Sequence, residues 1–297
     1  MRSRLWKLQV VLAPYLFVAP FVCVFAGFLL YPLGRSLWLA FHKTLGPRKE
    51  VFVGFGNFRF LSHDALFGWA ATNTALYAIL FVALQIPLAL GLAIILNDKR
   101  VFARSAFRFA FFSTHLVGGV FVAILFSQVM SPTGLLNRTL SFITFHRVQI
   151  AWLDEKFLTL VVLLMAGLWL SVGWAMIYFL AALQSVDREL YEAAEVDGAG
   201  PWQKFRHVTL PGIKPVLTFL ALTGLIGAFQ LFELPYVLYG QTSGPVNSAL
   251  TIVMHQFVTG FGTGDLGYAS AIGWALVLIV SGLVGTQLVL TRATRRE

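Results

Sequence analysis

Residues 70–96 read AATNTALYAILFVALQIPLALGLAIIL and contain no Asp, Glu, Lys or Arg. An apolar run of roughly 18 or more residues, at about 1.5 Å of rise per residue, is long enough to cross a hydrocarbon core about 30 Å thick. Five more runs of this kind share the chain, at 11–41, 109–130, 158–183, 215–239 and 266–290, and those beginning at 158 and 266 also lack charged residues. Hydrophobic residues make up 58% of the 297 and charged residues 12%, about half the charged fraction usual in a soluble domain. The expected fold is all-α: a polytopic membrane protein with six transmembrane helices in a single membrane domain, 11–291. The short ends 1–10 and 292–297 lie outside it.

The basic residues orient these helices. With the N-terminus inside, the inner segments hold fourteen of the 22 Lys and Arg, among them Arg2, Lys99, Arg188, Lys214, Arg295 and Arg296. The outer segments hold eight, including Arg35, Arg48 and Lys156. That excess places both termini in the cytoplasm by the positive-inside rule. The net charge of +9 is then a topology signal rather than a nucleic-acid footprint. Trp6, Tyr31, Trp38, Trp152, Tyr236 and Tyr239 fall near expected helix ends, where amphipathic rings favour the interface. The first run is too long for a cleavable signal peptide and reads as an anchor. Its Cys23 is the lone cysteine of the chain, which excludes an intrachain disulfide.

Between the fourth and fifth runs lies the longest charge-rich insert, 184–212. Residues 191–211 read YEAAEVDGAGPWQKFRHVTLP. Asp187 suits a helix N-cap, with Glu189 near the positive end of the helix. Leu190, Ala193, Ala194 and Asp197 fall on one side at helical spacing, while Arg188, Glu189, Glu192 and Glu195 face largely to solvent. Gly198 suits a left-handed C-terminal turn, and Pro201 the first turn of a second helix. Leu210-Pro211 is expected to break that second helix before the fifth run begins. A hairpin resting on lipid headgroups would also be amphipathic, yet four acidic residues between Glu189 and Asp197 make attraction to an anionic leaflet weak.

Glu192-Ala193-Ala194, three residues, Gly198, nine residues, then Val208, Leu210 and Pro211 resemble the EAA signature of permease subunits of binding-protein-dependent ABC importers, with Val208 where Ile is usual. More of the chain is similar to the carbohydrate-uptake branch of that family, of the maltose and glycerol-3-phosphate permease type. The matching segments are Leu30-Tyr31-Pro32, VGFGNF at 53–58, Asn73-Thr74, QSVDRELY at 184–191, FELPYVL at 232–238 and LGYASA at 266–271. GQTSGP at 240–245 departs from the family's compact TGGGP, in a loop that faces the binding protein in the family.

The resemblance implies alternating access driven by ATP hydrolysis on separate subunits, to import a sugar or sugar-like solute across the inner membrane. It identifies the insert as the cytoplasmic coupling helix, with Glu192, Ala193, Ala194, Asp197, Gly198, Leu210 and Pro211 meeting the ATPase. The implied partners are a second related permease, two copies of an ABC ATPase and an extracytoplasmic solute-binding protein. No P-loop pattern, nucleophile motif or metal-ligand spacing among the six His residues stands in the sequence. The chain is therefore expected to be no enzyme and to hold no metal or cofactor of its own, with ATP and Mg on the partner ATPase. An ion-coupled secondary transporter would call for charges near the bilayer midplane and an internal repeat, and neither is visible. An ABC permease for a non-carbohydrate solute stays open at this point.

Polar groups inside spanning helices are candidates for the solute pathway. Gln230 and Glu233 lie three apart, on one face if the fifth helix is continuous. Glu233 stands nineteen residues beyond Lys214, about 28 Å along such a helix and near the outer interface. Tyr236, Asn73, Gln85, Gln128 and Ser171 are the other candidates, although bonds between helices explain Asn, Gln and Ser in such places more often than transport does. Trp169 and Trp174 are candidates for stacking on a sugar, with packing the commoner role. Arg35 is the one cation inside a run, so a neutral carbohydrate or polyol is favoured.

Overall fold

The computed structural model describes residues 2–44 and 49–293. Arg48, Arg295 and Arg296 of the charge argument lie outside the described residues. In chain order the elements are α1 Arg2–Phe25, α2 Tyr31–Ala40, β1 His42–Thr44, β2 Glu50–Phe52, α3 Gly56–Leu61, α4 Ala65–Asn97, α5 Arg104–Ser113, α6 Gly119–Val129 and α7 Leu135–Thr144. They continue with α8 Lys156–Ser185, α9 Arg188–Val196, α10 Pro201–Lys204, α11 Leu210–Phe229, α12 Glu233–Tyr239, α13 Ile252–Phe257 and α14 Leu266–Ala293. Five helices among the described residues are long and apolar enough to cross a membrane, and the bent pair α5 and α6 supplies a sixth candidate. The chain falls into two compact units, residues 1–64 with 256–275, and residues 65–255 with 276–297.

In the first unit, α1 and α2 join through a π-turn at Ala26–Leu30, just ahead of Pro32. Proline cannot donate to the helical ladder, and a wider turn relieves the clash of its ring with the preceding turn. The apolar side chains of this rod stand open, with Phe17 85% and Phe28 83% exposed, as befits a helix solvated by lipid. The motifs that follow it are structural. β1 and β2 form an antiparallel hairpin with Lys43 opposite Val51. Asn57 of the VGFGNF segment is buried and donates to the carbonyls of Ala40 and His42, both at 2.9 Å. Thr44 Oγ1 donates to Asp265 at 3.1 Å and accepts from Gly267 N–H at 3.0 Å. A β-carbon on Gly267 would overlap the His42 carbonyl oxygen, so glycine is required in LGYASA. Tyr268 hydroxyl donates to Asp64 at 2.5 Å, and Arg35 is paired with Glu50.

The second unit is built on α4, α8 and α11. Ala89, Ala93, Ala175, Met176, Phe179, Ile213 and Leu220 form one buried cluster, in which small side chains let helices approach closely. Gly173 extends this logic, because a β-carbon there would overlap the backbone carbonyl of Phe111 on α5. Within 131–157, Asn137 of α7 is buried, donates to the Ile150 carbonyl at 2.9 Å and accepts from Trp152 Nε1 at 3.0 Å. That amide closes the segment between α6 and α8 together with the Ser141 hydroxyl, which accepts from Val148 N–H at 2.8 Å.

The structure corrects three readings of the sequence. The run 109–130 is not one rod: its two helices meet at 101°, with Val117 and Gly118 extended at ψ 132 and 144. Both residues take ordinary extended backbone, with φ −80° and −66°, so two non-helical residues suffice to turn the chain. Second, the helix begun at Pro201 does not end at Leu210-Pro211. It passes through a π-turn at Phe205–Thr209 into α11, and the wider turn absorbs the proline. Third, the fifth run is not continuous up to Tyr239. Helix geometry stops at Gln230 (φ −93°, ψ 12°) and resumes at Glu233 after Phe232 at φ −139°, ψ −53°. The same-face and 28 Å arguments for Gln230 and Glu233 therefore do not hold.

Candidate solute cavity and coupling segment

The insert folds by local rules. Asp187 Oδ1 accepts from Glu189 N–H at 3.1 Å and caps α9. At the other end Gly198 turns left-handed at φ +74°. Its N–H reaches the Glu195 carbonyl at 3.0 Å, and Ala199 N–H reaches that of Ala194 at 2.8 Å, the two bonds of a Schellman cap. Lys204 Nζ then meets Glu195 Oε1 at 2.7 Å across the turn, and Tyr191 hydroxyl lies 2.9 Å from Thr209 Oγ1. The hydrogen bond and charge of Lys204 hold the Glu195 carboxyl below its ordinary range. No residue of α9 is buried: Glu192, Ala193, Asp197 and Gly198 are exposed, Ala194 is half-buried, and Val196 and Trp202 are 89% and 69% exposed. Leu210 is half-buried and Pro211 exposed at the start of α11. Apolar side chains held open beside ordered charges make a surface suited to another protein.

A cavity of about 770 Å³ lies within the second unit. Its walls come from α4, α8 and α11 and from the two broken connections, with Tyr77, Gln85, His115, Ser171, Trp174, Gln230 and Glu233 among its lining. Three glycines make room for three polar groups. A β-carbon on Gly119 would overlap Glu233 Oε2, one on Gly167 would overlap the Tyr77 hydroxyl, and one on Gly224 would stand 2.8 Å from Gln85 Oε1. Gln85 Oε1 is buried and has no hydrogen-bond partner. His115 stacks on Trp174 at 5.8 Å between ring centroids, and its Nδ1 lies 3.2 Å from the Leu170 carbonyl. Among the described lining residues Glu233 is the sole acid, and there is no Lys or Arg.

Of the pathway candidates, Gln230, Glu233, Ser171 and Gln85 line this cavity and Gln128 does not; Ser171 Oγ also donates to the Gly167 carbonyl at 2.8 Å. Trp174 lines it and Trp169 does not, sitting instead 6.4 Å from the Phe126 ring. Tyr236 stacks on Phe232 at 5.1 Å one turn beyond the lining residues. Asn73 lies elsewhere, donating to the carbonyls of Asn247 and Leu250 at 2.7 and 3.0 Å. Tyr77 and His115 are the members that sequence reasoning missed. Nothing in their spacing distinguishes them, because their place is set by packing against glycines on other helices.

The family model described as "Binding-protein-dependent transport system inner membrane component" matches residues 10–296. The chain belongs to that family. Among curated relatives, the lactose transport system permease protein LacF of Rhizobium radiobacter is 36% identical over 270 residues, covering 91% of this chain and 90% of its own. The arabinooligosaccharides permease AraP of Bacillus subtilis is 36% identical, covering 90% and 85%. The sn-glycerol-3-phosphate permease UgpA of Yersinia enterocolitica is 31% identical, with 92% of each chain covered. A crystal structure of a bacterial ABC transporter involved in the import of the acidic polysaccharide alginate superposes with a TM-score of 0.83 at 27% identity, over 98% of this chain and 99% of that one. The chain is thus a membrane-embedded permease subunit of an ABC importer, with the permease fold, a transport rather than a catalytic subunit. The ion-coupled alternative is set aside by this membership.

Proposed function

We propose that this permease translocates a neutral sugar or short oligosaccharide through the cavity of the second unit, by alternating access driven by ATP hydrolysis on separate ATPase subunits. In this reading it crosses the inner membrane six times, the pair α5 and α6 counting once, with both termini and the insert 184–212 in the cytoplasm. Glu192, Ala193, Ala194, Asp197, Gly198, Leu210 and Pro211 then form or support the face that meets the ATPase. The complex contains a second related permease, two ATPase copies and a solute-binding protein. Gln230, Glu233 and Ser171 bind solute hydroxyls, joined by Gln85 and by the Trp174 ring. Asn73 and Tyr236 support the surrounding packing.

The observation that carries this reading is one helix. From Pro201 to Phe229 the backbone stays helical, and the same helix supplies Trp202 beside the coupling turn and Thr223, Gly224 and Gly227 at the cavity. Motion imposed at the insert has a direct route to the cavity wall. Sugar as the solute class is supported by the names of the relatives and by a lining that offers neutral donors and acceptors plus one carboxylate. A phosphate ester would leave that carboxylate opposed to like charge, which disfavours the glycerol-3-phosphate relative's solute here. The test is copurification of the tagged subunit in mild detergent, alongside Glu192→Lys and Gly198→Val. Capture of an ATPase and a second permease by the parent, with the ATPase lost from both variants, supports the reading. An intact preparation that never carries an ATPase rejects it.

A further inference from the structure

A second, smaller crevice of about 340 Å³ lies in the same unit, lined by Asn73, Leu76, Lys156, Phe157, Leu160 and Ser248. It shares no residue with the larger cavity. Lys156 is the first residue of α8, and its ammonium sits 4.5 Å above the Trp69 ring, within the second turn of α4. Two helices of membrane-crossing length thus begin side by side at this end. A lysine over a tryptophan at such a position belongs at headgroup depth. Lys156 takes part in none of the ion pairs among the described residues. The N-cap of α8, Glu155, makes no side-chain cap, so the first N–H groups of the helix keep their capacity to meet an anion. Ser248 supplies an independent sign. Its hydroxyl is buried, lines the crevice and has no hydrogen-bond partner. Below these groups the walls are Leu76, Phe157 and Leu160.

Cation, open helix N-terminus and orphaned hydroxyl at one end, with an apolar trough at the other, match one class of molecule. We propose that the crevice is a phospholipid site, with the phosphate on Lys156 and the α8 N-terminus, the glycerol ester region on Ser248, and one acyl chain along Leu76 and Leu160. A sugar would leave most of its hydroxyls against hydrocarbon there. The site needs no assumption about the transported solute.

Native mass spectrometry of the full-length subunit, partly delipidated and then supplied with phosphatidylethanolamine, tests it. Diacylglycerol of the same chain length serves as the phosphate-free control. The parent is expected to retain one phosphatidylethanolamine at least fivefold more often than diacylglycerol. Lys156→Gln and the crevice-filling Leu76→Trp should each lower that occupancy by at least fivefold, at unchanged thermal stability. Both sites are exposed, so the variants are expected to fold. Equal retention by parent and variants overturns the proposal, as does equal retention of diacylglycerol. Displacement of the lipid by millimolar maltotriose also overturns it, because the crevice would then belong to the solute.

Discussion

The carboxylate of Glu233 occupies the space that a β-carbon on Gly119 would fill. The two residues resume their chains after the two breaks, Gly119 at the start of α6 and Glu233 at the start of α12, so the breaks face each other across one edge of the cavity. Gly119→Ala is expected to push the carboxylate aside at a stability cost below about 1 kcal/mol, since the far end of a Glu is mobile. Uptake by reconstituted vesicles should fall for Gly119→Ala and for Glu233→Gln alike. Unchanged uptake in both would remove Glu233 from the pathway.

Gln85 carries a buried carbonyl oxygen with no partner, and an unsatisfied acceptor of that kind costs about 1–3 kcal/mol. Gln85→Leu removes it. The variant should melt higher, by an amount worth about 1 kcal/mol, while solute uptake declines. Higher stability with unaltered uptake would make Gln85 a strain site unconnected with transport.

Two glycines of the second unit make a matched pair. Gly173→Ala must drive a methyl into the Phe111 backbone, whereas Gly227 has open space around it. Thermal denaturation should show Gly173→Ala destabilised by about 1–3 kcal/mol and Gly227→Ala close to the parent. Similar melting of the two would contradict the close approach of α5 to α8.

These glycines show where the sequence is readable and where it is not. Local signals were legible: the Asp187 cap, the left-handed turn at Gly198 and the helix start at Pro201 each depend on one residue's own geometry. Apolar runs marked where long helices lie, since the lipid environment demands them. The breaks at Val117 and Phe232 escaped notice because the chain is equally apolar on both sides, and hydrophobicity carries no record of a bend. Pro211 misled in the opposite sense, as a π-turn absorbed what normally ends a helix. Gln230, Glu233 and Ser171 could be named as intramembrane polar groups. The Tyr77 hydroxyl could not, because its place depends on the missing side chain of Gly167, ninety residues away in sequence.

Loss of the cap at Asp187 should loosen α9 without unfolding the protein. Asp187→Ala removes a bond worth about 1 kcal/mol, so the α9 amides should exchange with solvent roughly fivefold faster. Hydrogen-exchange mass spectrometry of the 187–199 segment reads this directly, with α8 as the unaffected control. Equal exchange in α9 would show that the cap does not hold the segment.

Acid acts on the same segment through Glu195. Its carboxyl titrates below the ordinary value of 4.5 because of Lys204. A depressed folded-state pKa means that the stabilisation is present above the unfolded value and is lost as pH falls through the folded one. The turn should therefore be unaffected between pH 7 and about pH 5 and loosen below about pH 4.5. Carboxyl-resolved NMR should find the Glu195 midpoint below 4.5, rising towards it in Lys204→Gln. A midpoint unmoved by that substitution would dissolve the link across the Gly198 turn.

The unbroken path from Trp202 to Thr223 is about 32 Å long at 1.5 Å per residue, and it behaves as a lever. A tilt of about one tenth of a radian at the exposed end displaces the far end by about 3 Å, the width of a hydroxyl group and its hydrogen bond. The π-turn near one end is the compliant joint, and the break after Phe229 is where the lever lets go. A displacement that small is enough to unmake the hydrogen bonds of a bound solute one wall at a time, with no helix having to melt.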